Sequence, residues 1–257
     1  MQNKARNFPK WLRTAAVGIF WLAVWQLSYY AVGSGLLLAS PADTLKRLLS
    51  MVAEGEFWLI IGSSFLRIMW GFFTGLVLGI ILAVAAAKWK TVHSLLQLPM
   101  NIIKATPVAS FVILALIWIS GRRLSSFISF LMVLPMVWSN VYEGIRAADP
   151  KLLELAKVYR LTAFQKLKAV YIPAVMPYLL SVSRVAMGFA WKAGIAGEVI
   201  AVPKNTIGAQ LYDAKVYLET TDLFAWTVVI IALSVIIEKL FTALMKKLSG
   251  KWGALNG

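Results

Sequence analysis

Apolar residues in this chain come in long stretches separated by short polar, mostly basic segments. Six stretches approach or exceed the roughly 20 mostly apolar residues that cross a bilayer as a helix: 12–31, 59–87, 95–120, 124–142, 177–200 and 223–245. The pattern predicts an all-α polytopic membrane protein of about six transmembrane helices. The third stretch is the least regular. Pro99, Lys104 and Pro107 interrupt it, and the clean apolar run extends only from Val108 to Ile119. Its helix is expected to begin earlier and to kink near Pro107, where the N–H is missing.

Two polar segments carry helical patterning of their own. In 149–173, Asp149-Pro150 reads as an N-cap with proline at the first helical position. Leu152, Leu153, Ala156 and Tyr159 form an apolar stripe at helical spacing, with Lys151, Glu154 and Lys157 off it. Thr162 and Gln165 fit a capping box for a second helix carrying Leu167, Val170 and Tyr171, expected to end before Pro173. This two-helix segment either lies on the lipid surface or docks a partner. In 41–54, Leu45, Leu48, Leu49 and Val52 make an apolar face that either packs in the interface or adds to an external docking surface.

Composition narrows the class. Of 257 residues, 60% are hydrophobic and only 14% charged, too little polar surface for a soluble globule and too apolar for a disordered chain. With no cysteine, a disulfide scaffold and a thiolate metal site are excluded. The formal charge of +15 raises the question of nucleic acid, and the positions of the charges answer it. With the N-terminus in the cytoplasm, Lys4, Arg6, Lys10 and Arg13 lie inside, as do Lys88 and Lys90. So do Arg146, Lys151, Lys157, Arg160, Lys166 and Lys168, and finally Lys239, Lys246, Lys247 and Lys251. Lys46, Arg47, Arg122, Arg123, Lys204 and Lys215 lie outside, most with acidic company such as Asp43, Glu54, Asp213 and Asp222. This asymmetry predicts both termini in the cytoplasm, and the basic excess is a topology signal with no nucleic-acid partner implied. The first apolar run exceeds a signal-peptide core and no small-residue cleavage site follows it, so it is expected to be an uncleaved anchor.

Chemistry-bearing motifs are missing. There is no G-x-x-x-x-G-K-[ST], no G-x-S-x-G and no H-E-x-x-H, and His93 stands alone as an interfacial residue. No catalytic residue, metal site or cofactor of this chain's own is expected. Interest passes to polar and small residues within the spans. Gly71, Gly75 and Gly79 make a small-residue ridge for close helix packing, within the subunit or at a dimer or gating contact. Arg67 either reaches the headgroups or faces an aqueous passage. Arg184 and Glu198 share a helix face but stand about 21 Å apart at 1.5 Å per residue, so each needs its own partner. Lys192, nearer mid-membrane, either lines a pathway with Arg67 or meets a structural partner; the former would suit anionic solutes.

Glu154-Leu-Ala-Lys-Val-Tyr-Arg160, nine residues, then Val170-Tyr-Ile-Pro173 resembles the EAA loop of ABC importer permeases. Glu154, Ala156 and Pro173 match that pattern, while Arg160 stands where the family has glycine. Leu38-Ala-Ser-Pro41, Ser64-Phe-Leu-Arg67…Gly71 and Arg184-Val-Ala-Met-Gly-Phe-Ala-Trp-Lys192…Glu198 resemble the nitrate/sulfonate/taurine-type subgroup, and the resemblance covers most of residues 10–245. It implies one permease domain over 1–257, with 149–173 as a cytoplasmic coupling loop between spans 4 and 5. Leu152, Leu153, Glu154, Ala156, Tyr159, Arg160 and Thr162 would contact or shape the contact with the ATPase. Further implied are a bacterial inner-membrane location, a pair of permease chains (a homodimer, given no internal repeat) and two separate ATPase subunits holding ATP and Mg. An extracytoplasmic binding protein would deliver a sulfonate-, taurine- or nitrate-like anion or a similar small molecule. An ion-gradient-driven secondary transporter or channel, with Lys192 and Arg184 at its ion or solute site, and a scaffold without transport are the competing readings.

Overall fold

The computed structural model describes residues 10–253, all of whose regular elements are helical. Lys4 and Arg6 lie outside the described residues, as do the side chains of Lys10, Trp11, Lys246 and Lys251. The elements are α1 (Lys10–Val32), α2 (Pro41–Ala53), α3 (Gly55–Lys88), α4 (Lys90–Ala105), α5 (Val108–Ala115) and α6 (Gly121–Arg146). They continue with α7 (Pro150–Val158), α8 (Ala163–Lys166), a π turn (Leu167–Tyr171), α9 (Ile172–Ala201), α10 (Ile207–Val216) and α11 (Thr220–Gly253). Among the described residues, five helical stretches are long and apolar enough to cross a membrane, and α4 with α5 supplies a sixth if the bent pair counts as one span.

That pair corrects the predicted third span. Instead of one kinked helix over 95–120, α4 starts at Lys90 and α5 ends at Ala115, and the two axes turn by 104° at Thr106-Pro107. Thr106 is extended (φ −83°, ψ 132°) because a following proline disfavours helical backbone, and Pro107 has no N–H to carry the ladder on. The eight residues of α5 rise about 12 Å, far short of a hydrocarbon core of about 30 Å.

The chain forms two compact units. One comprises Met1–Trp58 and Gln210–Val229. In it Ser40 caps α2, its Oγ accepting from the Asp43 N–H, and Pro41 occupies the first turn. Thr44 and Met51 are the buried residues of α2, whereas Leu45, Leu49 and Val52 of the apolar face read from the spacing are exposed. Arg47 grips Asp222 with two hydrogen bonds of 2.7 and 2.6 Å, and that carboxylate holds the guanidinium above its ordinary value. Trp25 donates to the Ala39 carbonyl at 3.0 Å and stacks on Phe224, while Phe57 meets Trp226.

The second unit comprises Leu59–Ala209 and Ile230–Gly257. Its centre is α6 against α9, with α3 laid on α6 along the glycine ridge. A Cβ on Gly71 would stand 2.1 Å from the Ser126 carbonyl oxygen, on Gly75 2.9 Å from that of Phe130, and on Gly79 2.9 Å from Val137 Cβ. Such closeness gains dispersion contacts, which matter in lipid because apolar surface gains nothing by hiding from hydrocarbon. Val112 and Ala115 of α5 pack on Leu124, Ile128 and Ala193. Its outward faces are apolar too: Leu59, Trp70, Ile81, Ile231 and Leu240 are all exposed, the distribution of a protein whose solvent is lipid.

Candidate functional site

The 149–173 segment begins as its caps predict. The Asp149 carboxylate accepts from the Lys151 N–H at 2.8 Å, Pro150 opens α7, and Thr162 and Gln165 form a reciprocal capping box. Between them the turn is left-handed: Arg160 sits at φ +49°, with its N–H on the Lys157 carbonyl and the Leu161 N–H on that of Ala156. A non-glycine residue there costs roughly 1 kcal/mol. Arg160 therefore adopts the backbone that the resembled family assigns to glycine.

Beyond the box the outcome differs from expectation. The second helix does not end before Pro173 but runs without interruption from Ala163 to Ala201. The backbone widens into a π turn over Leu167–Tyr171, and the Ile172 N–H reaches back five residues to the Leu167 carbonyl. Proline, needing no partner for a missing N–H, is accommodated in the following turn. The second half of the loop is thereby helically continuous with α9, and α7 joins it through the 159–162 turn.

On α7 only Ala156 is buried; Leu153 is half-buried, and Leu152, Leu155, Val158 and Tyr159 are exposed, the last two by about three quarters. Glu154 is exposed and in no ion pair among the described residues. A capped nine-residue helix showing apolar residues around one free carboxylate has the makings of a docking element.

Of the four charges considered for the pathway, the structure brings Arg184 and Lys192 together and places Arg67 and Glu198 elsewhere. Arg184 and Lys192 line one cavity of about 610 Å³ on α9 and α11. Arg184 Nε lies 3.3 Å from Glu238 Oε1, and Lys192 stands about 12 Å further along α9 at helical rise. Ser181 and Thr242 add hydroxyls, and Gly188 between the cations leaves open space where a side chain would stand. With two cations, one acid and two hydroxyls, the cavity has a net positive wall able to meet a small anion.

Glu198 is fully buried and lines none of this cavity. Its Oε2 accepts from Ser64 Oγ at 2.8 Å and from the Gly208 N–H at 3.3 Å, while Ser64 Oγ accepts from the Ile207 N–H at 2.9 Å. The carboxylate thus faces the N-terminus of α10, whose dipole favours negative charge. A Cβ on Gly208 would fall 2.3 Å from Glu198 Cβ, so the approach needs glycine. Arg67 acts on the same carboxylate electrostatically, with its Nη1 buried and without a hydrogen-bond partner. Sequence reasoning missed Ile207 and Gly208, and it noted Ser64 only as part of a resemblance. The one local signal was a buried-type acid next to a Pro-Lys-Asn-Thr turn.

Comparison with known proteins places the chain. A profile of the family described as binding-protein-dependent transport system inner membrane component matches residues 75–251. The chain is 28% identical over 256 residues to a protein of Escherichia coli (strain K12) provisionally named aliphatic sulfonates transport permease protein SsuC, covering 96% of this chain and 95% of that one. It is 23% identical over 231 residues to the taurine transport system permease protein TauC of the same organism, covering 88% and 84%. A solved bacterial ABC transporter involved in the import of the acidic polysaccharide alginate shares the fold at a TM-score of 0.62 and 14% identity, covering 92% of this chain and 96% of that one.

Proposed function

The chain belongs to the family of binding-protein-dependent transport system inner membrane components, and on that premise we propose that it passes small sulfonate-bearing or similar anions along the cavity lined by Arg184 and Lys192. It is the membrane-embedded permease subunit of an ABC importer. Separate ATPase chains hold ATP and Mg, and a binding protein outside the membrane delivers the solute. Two copies of this chain pair, with both termini in the cytoplasm, as the basic asymmetry of the connections supports.

The observation that carries the coupling role is α7: a capped helix whose apolar residues and Glu154 are presented outward, joined by the short 159–162 turn to the helix that continues through the π turn into the span lining the cationic cavity. ATPase closure moves α7, and α9 follows as a continuous rod, opening the cavity to one side and then the other. Leu152, Leu153, Ala156 and Tyr159 shape the seat, and Arg160 and Thr162 fix the turn. For the solute, the relatives named for sulfonates and taurine and the net positive cavity point the same way.

Affinity capture of the tagged chain from its host in mild detergent tests this reading. Near-stoichiometric recovery of a P-loop ATPase, lost on Glu154→Lys while the chain stays helical and monodisperse, is the expected result. Recovery of the chain alone, or undiminished ATPase recovery with Glu154→Lys, refutes the coupling assignment.

A further inference from the structure

A second polar cavity, of about 600 Å³, opens at the root of α7 and is lined in part by Lys90, His93, Ser94 and Arg146. Its back is aromatic: the His93 ring stacks on Tyr142 at 4.4 Å, Tyr142 stacks on Trp138, and the Arg146 guanidinium lies 5.9 Å from the Tyr142 ring. Among the described residues neither Lys90 nor Arg146 is in an ion pair. Of the acids nearest in sequence, Asp149 caps α7, and Glu143 makes no ion pair with Arg146 among the described residues. Two uncompensated cations and a histidine on a rigid aromatic wall select a phosphate or a similar oxyanion.

This pocket adjoins a second one. Ala87, Ile145 and Tyr171 also line an adjoining groove of about 600 Å³, whose other walls include Ile80, Val84, Val175 and Leu179 and whose single charged residue is Lys88. A free phosphate fills only the first compartment and leaves the groove empty. A ligand with an anionic head and a hydrocarbon tail fills both. We propose that the two compartments form a binding site for one anionic phospholipid, its phosphodiester against Lys90 and Arg146 and one acyl chain along the groove. Basic pockets between membrane helices are suited to such headgroups. The site needs only that the chain is membrane-embedded, and its assignment to the inner leaflet rests on the orientation proposed above. Leu153 lines the headgroup pocket, so an occupying lipid packs against the foot of α7 and stiffens its seat.

Native mass spectrometry of the full-length chain in mild detergent tests the proposal, with dioleoylphosphatidylglycerol and dioleoylphosphatidylcholine offered together. The expected result is one phosphatidylglycerol per chain, retained with roughly tenfold preference, because two cations attract its net negative charge and repel the choline ammonium of the zwitterionic lipid. Lys90→Gln with Arg146→Gln brings the preference near parity at unchanged circular dichroism, and Lys90→Arg with Arg146→Lys keeps it. Val84→Trp, which fills the groove and leaves the cations, loses the dioleoyl lipid but still prefers the dihexanoyl phosphatidylglycerol over its choline counterpart. Equal retention of both lipids by the wild type, or full preference in the glutamine double variant, overturns the proposal. Displacement of the lipid by chain-free glycerophosphoglycerol assigns the pocket to a soluble phosphodiester and overturns it equally.

Discussion

Replacing Gly71 with alanine tests whether the α3–α6 contact depends on the absence of a side chain. The new Cβ would lie 2.1 Å from the Ser126 carbonyl oxygen and 2.8 Å from Ser129 Cβ, against an ordinary contact that begins at 3.4 Å. The first obstacle is backbone of α6, so it cannot rotate away, and the helices must separate by more than 1 Å. That separation weakens packing at Gly75 and Gly79 as well, and it stretches the 2.8 Å bond from Ser126 Oγ to the Arg67 carbonyl. A radial gap of this size forfeits from a quarter to half of each contact's attraction. Against this stands about 1 kcal/mol of helix propensity gained on leaving glycine. The expected net loss is about 3 kcal/mol, at the upper end for overpacking. Gly188→Ala is the control, since a Cβ there meets nothing within 4 Å, and only the propensity gain of up to about 1 kcal/mol remains. Thermal unfolding of the two purified variants in the same detergent should place Gly71→Ala roughly 6–10 °C below wild type and Gly188→Ala level with it or slightly above. An unfolding temperature for Gly71→Ala equal to that of Gly188→Ala would refute the reasoning.

Other consequences are open to single measurements. Arg160→Gly removes a left-handed cost of about 1 kcal/mol, so the variant should unfold at slightly higher temperature with ATPase co-purification intact, and a drop in stability contradicts the turn geometry. Ser64→Ala leaves the Ile207 N–H without its acceptor and Glu198 with one donor fewer. A loss of about 1–3 kcal/mol is expected, with faster proteolytic cleavage in the 203–206 turn, and unchanged proteolysis counts against the Glu198 joint. Arg184→Glu places two carboxylates face to face across the cavity and removes a cation, so uptake of an anionic solute by the reconstituted complex should fall at least tenfold while assembly persists. Undiminished uptake removes this cavity from the pathway. Arg47→Ala should cost about 1 kcal/mol or less, because the pair with Asp222 is partly solvated, and the loss should shrink further at high salt.

What the amino-acid sequence determined was whatever depends on near neighbours. Long apolar runs fixed the spans at 12–31, 59–87, 124–142 and 223–245 to within a few residues, because hydrocarbon demands continuous helix and satisfied backbone. Caps at Asp149 and Thr162 were readable for the same reason, their bonds closing within two or three residues. The glycine spacing of α3 announced a ridge, although only the packed structure showed that α6 fills it. Tertiary structure decided the rest. Pro107 marked a break but not its 104° turn, and Pro173 was expected to end a helix that a π turn instead carries through. Each is a local choice between backbone conformations of similar energy, settled by what packs around it. Arg184 and Glu198 appear on one face of one span, yet their partners lie 54 and 134 residues away, Glu238 in an open cavity and Ser64 in a closed joint. A charge in a membrane must find a partner, but the chain folds back on itself before that partner is chosen, so local sequence reveals the need and only the fold supplies the answer.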